Sequence, residues 1–456
     1  MMAGRRLCEL GATELAALLK ARQVSAVEAA QSCLDSIGEN DPKIHAWTYI
    51  DPELALAHAA AADKKLAAGT GGKLCGVPVG VKDIFNTADL PTQMGSPIFD
   101  GFTPGNDARV VHYLRMADAV VLGKTVTAEF AVHAPGPTRN PHHLQYIPGT
   151  SSSGSAAAVA ARMVPLALGT QTAGSIIRPA SYCGVVGFKP SFGLVPRTGM
   201  LKTTDSLDTV GMFARNVDDI GVLFDIVRVH GIDFPIAHEL LNDPARQTIG
   251  ARPWRIGVLT GPKWSSAEGY AQDAFRQFAA HLAEVPNVQV EAVTLPDSFN
   301  RAHEIHTTIY DKALAYYFKE EFVANTLVSP VMYDIVTRGN ALTVAQYHGA
   351  MKEQTALQHE LDAFLAARFD VIVDLSTGGE ALIGLESVDR PDNCLIWTLC
   401  GVPSLSLPVF AGPNQLPFGA QIFARRYNDY LLLDFARHLQ AHGVIEGDTA
   451  LPSMRQ

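Results

Sequence analysis

The sequence predicts an α/β fold: a mixed central β-sheet sandwiched between helical layers, with a helical segment at the N-terminus. Three observations carry this. Short apolar, β-branched runs alternate with stretches of helical periodicity, the pattern of a sheet covered by helices. Apolar residues make up 47% of the 456 and charged residues 18%, enough to bury a large core and unlike a disordered chain. No internal repeat or low-complexity tract interrupts the alternation.

Residues 12–67 read as helical, with Leu15, Leu18 and Leu19, then Val27, Ala30, Leu34 and Ile37, at spacings of three and four. Within that stretch Asp51 and Pro52 open a separate helix, the aspartate as N-cap and the proline in the first turn, ending before Gly69. LCGVPVGVKDIF is short, apolar and β-branched and predicts a buried strand. A helix over 106–118 and a strand over 119–122 follow. Pro, Gly, Asn and Ser crowd 133–155, whose first part reads as a loop. Residues 155–163 are small and apolar and predict a tightly packed helix; 164–168 predict a strand leading into the turn GTQTAGSIIRPA. Residues 232–252 are polar and contain prolines, and read as a connection. Beyond them come a strand (WRIGVLT), a helix over 267–284, a strand (VQVEAVTL) and mostly helix over 300–368. FDVIVDL, GVPSLSLPVF and FGAQIFA predict three further strands.

The bulk properties exclude several function classes. The net charge is −10 with no long basic run, so nucleic-acid binding by phosphate neutralisation is not expected. No uncharged apolar run reaches the roughly 18 residues of a membrane span, and Glu9 and Glu14 interrupt the N-terminal leucines, which makes a poor secretory leader. A cytoplasmic protein is the default. Cys8, Cys33, Cys75, Cys183, Cys394 and Cys400 include no Cys-x-x-Cys pair and read as free thiols in a reducing compartment. His303 and His306 are three apart rather than four and lack a third ligand, so no metal is expected. His142 and His143 read as a solvated loop pair. Tyr310, Tyr316, Tyr317, Phe318 and Phe322 fall in one helical stretch and read as core packing, with an aromatic substrate lining as the other option.

Three segments carry chemistry. Lys82 lies in the middle of an apolar strand; burial there favours the neutral amine and makes it a usable base, the alternative being a strand-end lysine paired with a carboxylate. PGTSSSGSAAAVAA holds Ser151, Ser152, Ser153 and Ser155 and passes straight into an apolar helix, which anchors it. In Thr172-Ala173-Gly174-Ser175, small residues before a serine permit a tight turn with N–H groups converging, as an oxyanion site requires. A phosphate-binding turn looks similar, but no Gly-x-x-x-x-Gly-Lys-[Ser/Thr] is present.

Taken together the three segments resemble the amidase signature family. Gly76-Val77-Pro78-Val79-Gly80-Val81-Lys82-Asp83 is similar to its lysine segment, Asn140-Pro141 to the dipeptide before its serine run, and Gly187-Phe188-Lys189-Pro190-Ser191 to its Gly-Phe-Lys-Pro element. Gly401-Val402-Pro403 and Leu416-Pro417-Phe418-Gly419-Ala420-Gln421 match its late elements, so the resemblance runs nearly end to end. Ser151 stands 24 residues before Ser175, the family's spacing of relay serine and nucleophile. The resemblance implies Ser175 as nucleophile, Ser151 as relay in a cis peptide, Lys82 as base, and the N–H groups of Thr172, Ala173, Gly174 and Ser175 as oxyanion hole. Neither cofactor nor metal is implied. The implied organisation is one domain over 1–456, with a helical part to about 68, a signature core over about 69–231, a variable substrate-lining part over about 253–368 and C-terminal strands and helix over about 369–445.

The departures concern the substrate. The serine run reads Gly149-Thr150-Ser151-Ser152-Ser153-Gly154, Gln171 replaces a frequent aspartate, Ala173 replaces a glycine, and the family's Pro-rich segment is Ser376-Thr377-Gly378-Gly379. Arg178 follows Ser175 by three residues, which is similar to malonamidase-type members, where this arginine meets a substrate carboxylate; it alternatively ties down the turn. Gly149, Thr150, Gln171 and Arg178 are therefore the candidate substrate-binding residues. The leading expectation is a stand-alone amidase, monomeric or homodimeric, acting on a small-molecule amide or carbamate. The alternatives are the glutaminase subunit of a tRNA-dependent amidotransferase, which the changes at Gln171, Ala173 and Arg178 disfavour, and a catalytically inactive relative that only binds.

Overall fold

The computed structural model describes residues 5–230, 252–323, 326–387, 389–449, 452 and 455; all but the last residue of the connection expected over 232–252 lies outside these. Among the described residues eleven strands form one mixed sheet: β1 (Trp47–Ile50), β2 (Pro78–Lys82), β3 (Val120–Thr125), β4 (Leu166–Gln171), β5 (Val186–Lys189), β6 (Thr209–Ala214), β7 (Trp254–Leu259), β8 (Val288–Val293), β9 (Val371–Leu375), β10 (Ser404–Ala411) and β11 (Pro417–Phe423). Their order is β1-β3-β2-β4-β6-β5-β10-β11-β9-β7-β8. Strands β3, β2 and β4 run parallel, as do β9, β7 and β8; the centre between them is antiparallel. Every residue of β2, β3 and β4 is buried, which is why they read as continuous apolar runs rather than alternating ones.

The helical N-terminus is interrupted where a continuous reading was expected: helices Ala12–Lys20, Ala26–Ile44 and Pro52–Ala68 flank β1, an edge strand paired with β3. Asp51 caps the third helix, its side chain accepting from the Leu54 N–H at 3.0 Å, and Gly69 closes it at φ 69°. Strand β3 continues past residue 122 through Lys124. That buried ammonium is held 3.2 Å from Asp83 and donates to the Phe85 and Pro91 carbonyls and the Thr92 hydroxyl, so its charge is paired and its donors are used. Strands β5 and β6 and helices Ile177–Cys183 and Val217–Val227 are additional to the expected elements.

Among the described residues two large apolar packs result, with a small third around Ile147, Tyr182, Ala381 and Leu416. One joins the N-terminal helices to β2–β6, β10 and β11. The other gathers helices Ala302–Tyr317, Pro330–Ala341 and Val344–Arg368 around Ile372, Trp397 and Phe423. Tyr310 and Phe318 pack in this second cluster as expected, whereas Tyr316 is 65% exposed. The six cysteines are buried and unpaired. No described helix is long and apolar enough to cross a membrane.

Candidate active site

The C-terminal ends of β2 and β4, adjacent parallel strands, bring Lys82 beside Thr170. Helix Ser153–Ala160 is wholly buried and made of small residues, so it lies close under the sheet and delivers the serines before it to the same point. Lys82 Nζ lies 2.8 Å from Ser151 Oγ, 3.0 Å from Ser152 Oγ and 3.0 Å from Thr170 Oγ1. Burial holds this amine well below the ordinary lysine range, although Asp208 pulls the other way.

The hydrogen bonds leave a lone pair free to face Ser151. Ser152 donates its hydroxyl hydrogen to the Thr170 carbonyl at 3.1 Å, so its oxygen accepts from Lys82. Thr170 Oγ1 takes the second N–H. A neutral amine then presents its lone pair to the Ser151 hydroxyl. The Thr150–Ser151 peptide is cis, and Gly149 before it has φ 88°; a Cβ there would stand 2.8 Å from Pro179 Cα, so only glycine fits.

After β4 the chain turns sharply at residues 172–175. Every carbonyl of the turn that finds a partner is drawn backwards: Thr172 O meets His306 Nε2 at 2.9 Å, Ala173 O accepts from Thr398 Oγ1 at 2.7 Å, and Gly174 O accepts from the Arg178 N–H at 2.9 Å. The N–H groups of Thr172, Ala173, Gly174 and Ser175 donate to no protein group among the described residues. Four unengaged donors beside one hydroxyl are what developing negative charge would require. Ser175 itself is 8% exposed, and its hydroxyl is not hydrogen-bonded to Ser151 or to any other described residue. The contact between Lys82 and Ser151 is thus formed, and that between Ser151 and Ser175 is open.

The candidate substrate residues divide. Gln171 is enclosed: its Oε1 accepts the Ile176 and Ile177 N–H groups at 2.8 and 3.0 Å and its Nε2 donates to Thr398 Oγ1 at 2.9 Å, so it fastens the turn instead of facing a ligand. Arg178 also turns inward. Its Nε lies 2.5 Å from Asp392 and its Nη1 3.5 Å from Asp389, and a Cβ on Gly174 would strike its guanidinium at 2.6 Å. Burial acts to neutralise Arg178, but the two carboxylates more than offset it and hold the charge. Burial pushes Asp389 up to about 6 against the pull of Arg178. Gly149 is closed off by Pro179; Thr150 and Ser175 keep the small exposure of groups lining a cleft.

Several residues of the site carried no sequence signal. Thr170, with Ser152 of the serine run, completes the lysine's contacts. Asp208 accepts from the hydroxyls of Thr172, Thr203 and Thr204, with the Thr172 bond 2.9 Å long, and so anchors the turn. His306 and His303, considered only as metal ligands, bond the carbonyls of Thr172 and Asp392 separately, and among the described residues no group of three or more His, Cys, Asp or Glu side chains is arranged to hold a metal.

Sheet and site together define an amidase-signature α/β enzyme. Comparison agrees, and the chain belongs to the Amidase family, whose model matches residues 28–433. It is 35% identical to a glutamyl-tRNA(Gln) amidotransferase subunit from Acidothermus cellulolyticus, over 91% of this chain and 90% of that one. A solved structure bearing on the origins of an s-triazine catabolic enzyme superposes with a TM-score of 0.86 at 28% identity, covering 96% of this chain and 100% of the other. The native peptide amidase of Stenotrophomonas maltophilia superposes at 0.83 and 28% identity, covering 98% and 99%.

Proposed function

We propose that the chain hydrolyses a carbonyl C–N bond through an acyl-enzyme on Ser175. The observation that carries this is the buried Lys82 amine, its pKa lowered by desolvation, 2.8 Å from Ser151 and beside a turn whose N–H groups are unengaged. Ser175 Oγ attacks the carbonyl carbon and its proton passes to Ser151, whose own proton passes to Lys82. The contact between the two serines closes when substrate is bound, since catalytic hydrogen bonds tighten in the complex. The oxyanion rests on the N–H groups of residues 172–175. As the C–N bond breaks, the proton returns through Ser151 to the leaving amine, and water then releases the acyl group by the same relay. Amides, anilides, carbamates and ureas share the geometry this needs.

A second reading is favoured by the sequence comparison: one component of a glutamyl-tRNA(Gln) amidotransferase, as the relative from Acidothermus cellulolyticus is named. That reading shares the first half of the reaction but makes turnover depend on partner chains.

The test is amine or ammonia release by the purified chain from a panel of primary carboxamides, anilides and carbamates. Turnover without partners is expected, falling about 10⁴-fold or more in Ser175→Ala with circular dichroism unchanged. Wild-type turnover in that variant would overturn the assignment of Ser175. Turnover that begins only when partner chains are added would favour the second reading.

A further inference from the structure

We infer that His133, with Tyr310 and His306 behind it, forms a ring wall beside the Ser175 turn that selects substrates carrying an aromatic ring next to the scissile bond. The inference rests on the hydrolytic reading above and adds the substrate class.

The wall begins at the oxyanion turn. His306 meets the Thr172 carbonyl at 2.9 Å, and its ring stacks on Tyr310 with centroids 5.6 Å apart and 23° between planes. Tyr310 in turn meets His133, centroids 5.7 Å apart. His133 is the exposed member, whereas His306 and Tyr310 are 3% and 6% exposed. A continuous series of rings thus runs from the reacting turn out to the exposed His133. The Tyr310 hydroxyl bonds no group among the described residues, which leaves a donor at the wall.

The wall is uncharged at neutral pH. Burial pushes both His133 and His306 down to about 4. The nearby Arg178 is already matched by Asp392 and Asp389, so no unmatched cation invites an anionic substrate. What the wall offers is flat, polarisable area, which favours another ring over a saturated group of equal size.

The mounting is stiff. Phe130 and Ala131, just before His133, are both left-handed at φ 48° and 58° without being glycine. Such a pair persists only where the surroundings fix it. Here the Glu129 carboxylate accepts the Ser329 N–H at 3.1 and 3.2 Å, and the Phe130 ring packs on Phe318 at 4.7 Å. Next to Tyr310, Asp311 is bound by Arg338 at 2.8 and 3.2 Å.

The test uses two matched pairs of fluorophosphonates, phenyl against cyclohexyl, with the ring on the phosphonyl carbon in one pair and on the alkoxy oxygen in the other. Labelling of Ser175 is timed by mass spectrometry, and each rate is divided by the same probe's rate of reaction with hydroxide. The phenyl probe is expected to label about two- to tenfold faster in at least one pair. His133→Ala brings that ratio to about one, and His133→Phe keeps it. Equal rates in both pairs, or a preference that survives His133→Ala, would overturn the inference while leaving the nucleophile intact. Failure of all four probes to label Ser175 would instead sink the hydrolytic reading, and the inference with it.

Discussion

Lys82 is costly to the fold and useful to the site for one reason. A lysine that is neutral when folded and charged when unfolded gives up a proton on folding, so stability falls as pH drops below the unfolded lysine's pKa of about 10.4 and recovers as pH rises toward it. Lys82→Met is therefore expected to cut turnover by about 10²- to 10⁴-fold yet unfold at no lower temperature than the native chain at pH 7, with any advantage shrinking toward pH 10. Thermal melts across that range check it; a large loss of stability in the variant would mean that the lysine is a structural cation. Gln171 is the opposite kind of residue. Gln171→Leu leaves the Ile176 and Ile177 N–H groups buried without an acceptor, at about 1–3 kcal/mol each, and is expected to lower both the denaturation midpoint and kcat. At this scale the sequence announces Lys82 well, because a lysine inside a β-branched run is conspicuous. It is silent on Thr170, which reaches the amine only once β4 lies beside β2, and it offers Ser152 only as one serine of a run.

Helix Ile177–Cys183 and the segment around residues 389–392 meet through one guanidinium. Arg178 stands between two carboxylates and under Gly174, so its charge is matched inside the fold, which favours the reading in which it ties down the turn over the one in which it meets a substrate carboxylate. Arg178→Met would leave Asp389 and Asp392 buried without their cation, at about 3–5 kcal/mol. The loss should ease in acid. Asp389 already sits near 6, above the unfolded value, so the native chain itself loses stability as pH rises through that range, and the variant, lacking the arginine, should do so more steeply. Urea midpoints between pH 4 and 8 check the sign. Activity should fall alike on acidic and neutral amides; a loss confined to acidic ones would restore the substrate role. The elements most legible in the sequence were those with a local signature, such as the Asp51-Pro52 helix start or buried β2. Strand β1 is hidden in a helical stretch because four residues at a sheet edge give little periodicity, and β3 runs beyond its apolar start because the cost of Lys124 is offset by Asp83, 41 residues earlier.

The whole molecule places its chemistry on one apolar pack and its ring wall on the other. Lys82, the serines and the Ser175 turn stand on the strands of the first; His306 and Tyr310 project from helix Ala302–Tyr317 of the second. This explains the uneven legibility of the site. The chemical half is written in contiguous motifs, whereas the wall depends on contacts such as His306 to Thr172, separated by 134 residues, that no local pattern encodes. The division predicts separable effects. Leu314 is fully buried one turn beyond Tyr310 in the second pack, and Leu314→Ala should cost about 2–5 kcal/mol through the cavity it leaves. Because that cavity loosens the wall and leaves Lys82, Ser151 and the turn in place, KM should rise more than kcat falls. Labelling of Ser175 by a methyl fluorophosphonate, too small to reach the rings, should stay within about twofold of the native rate, well inside the tenfold that 1.4 kcal/mol would produce. A drop in kcat at constant KM would show instead that the two packs act on the nucleophile as one body.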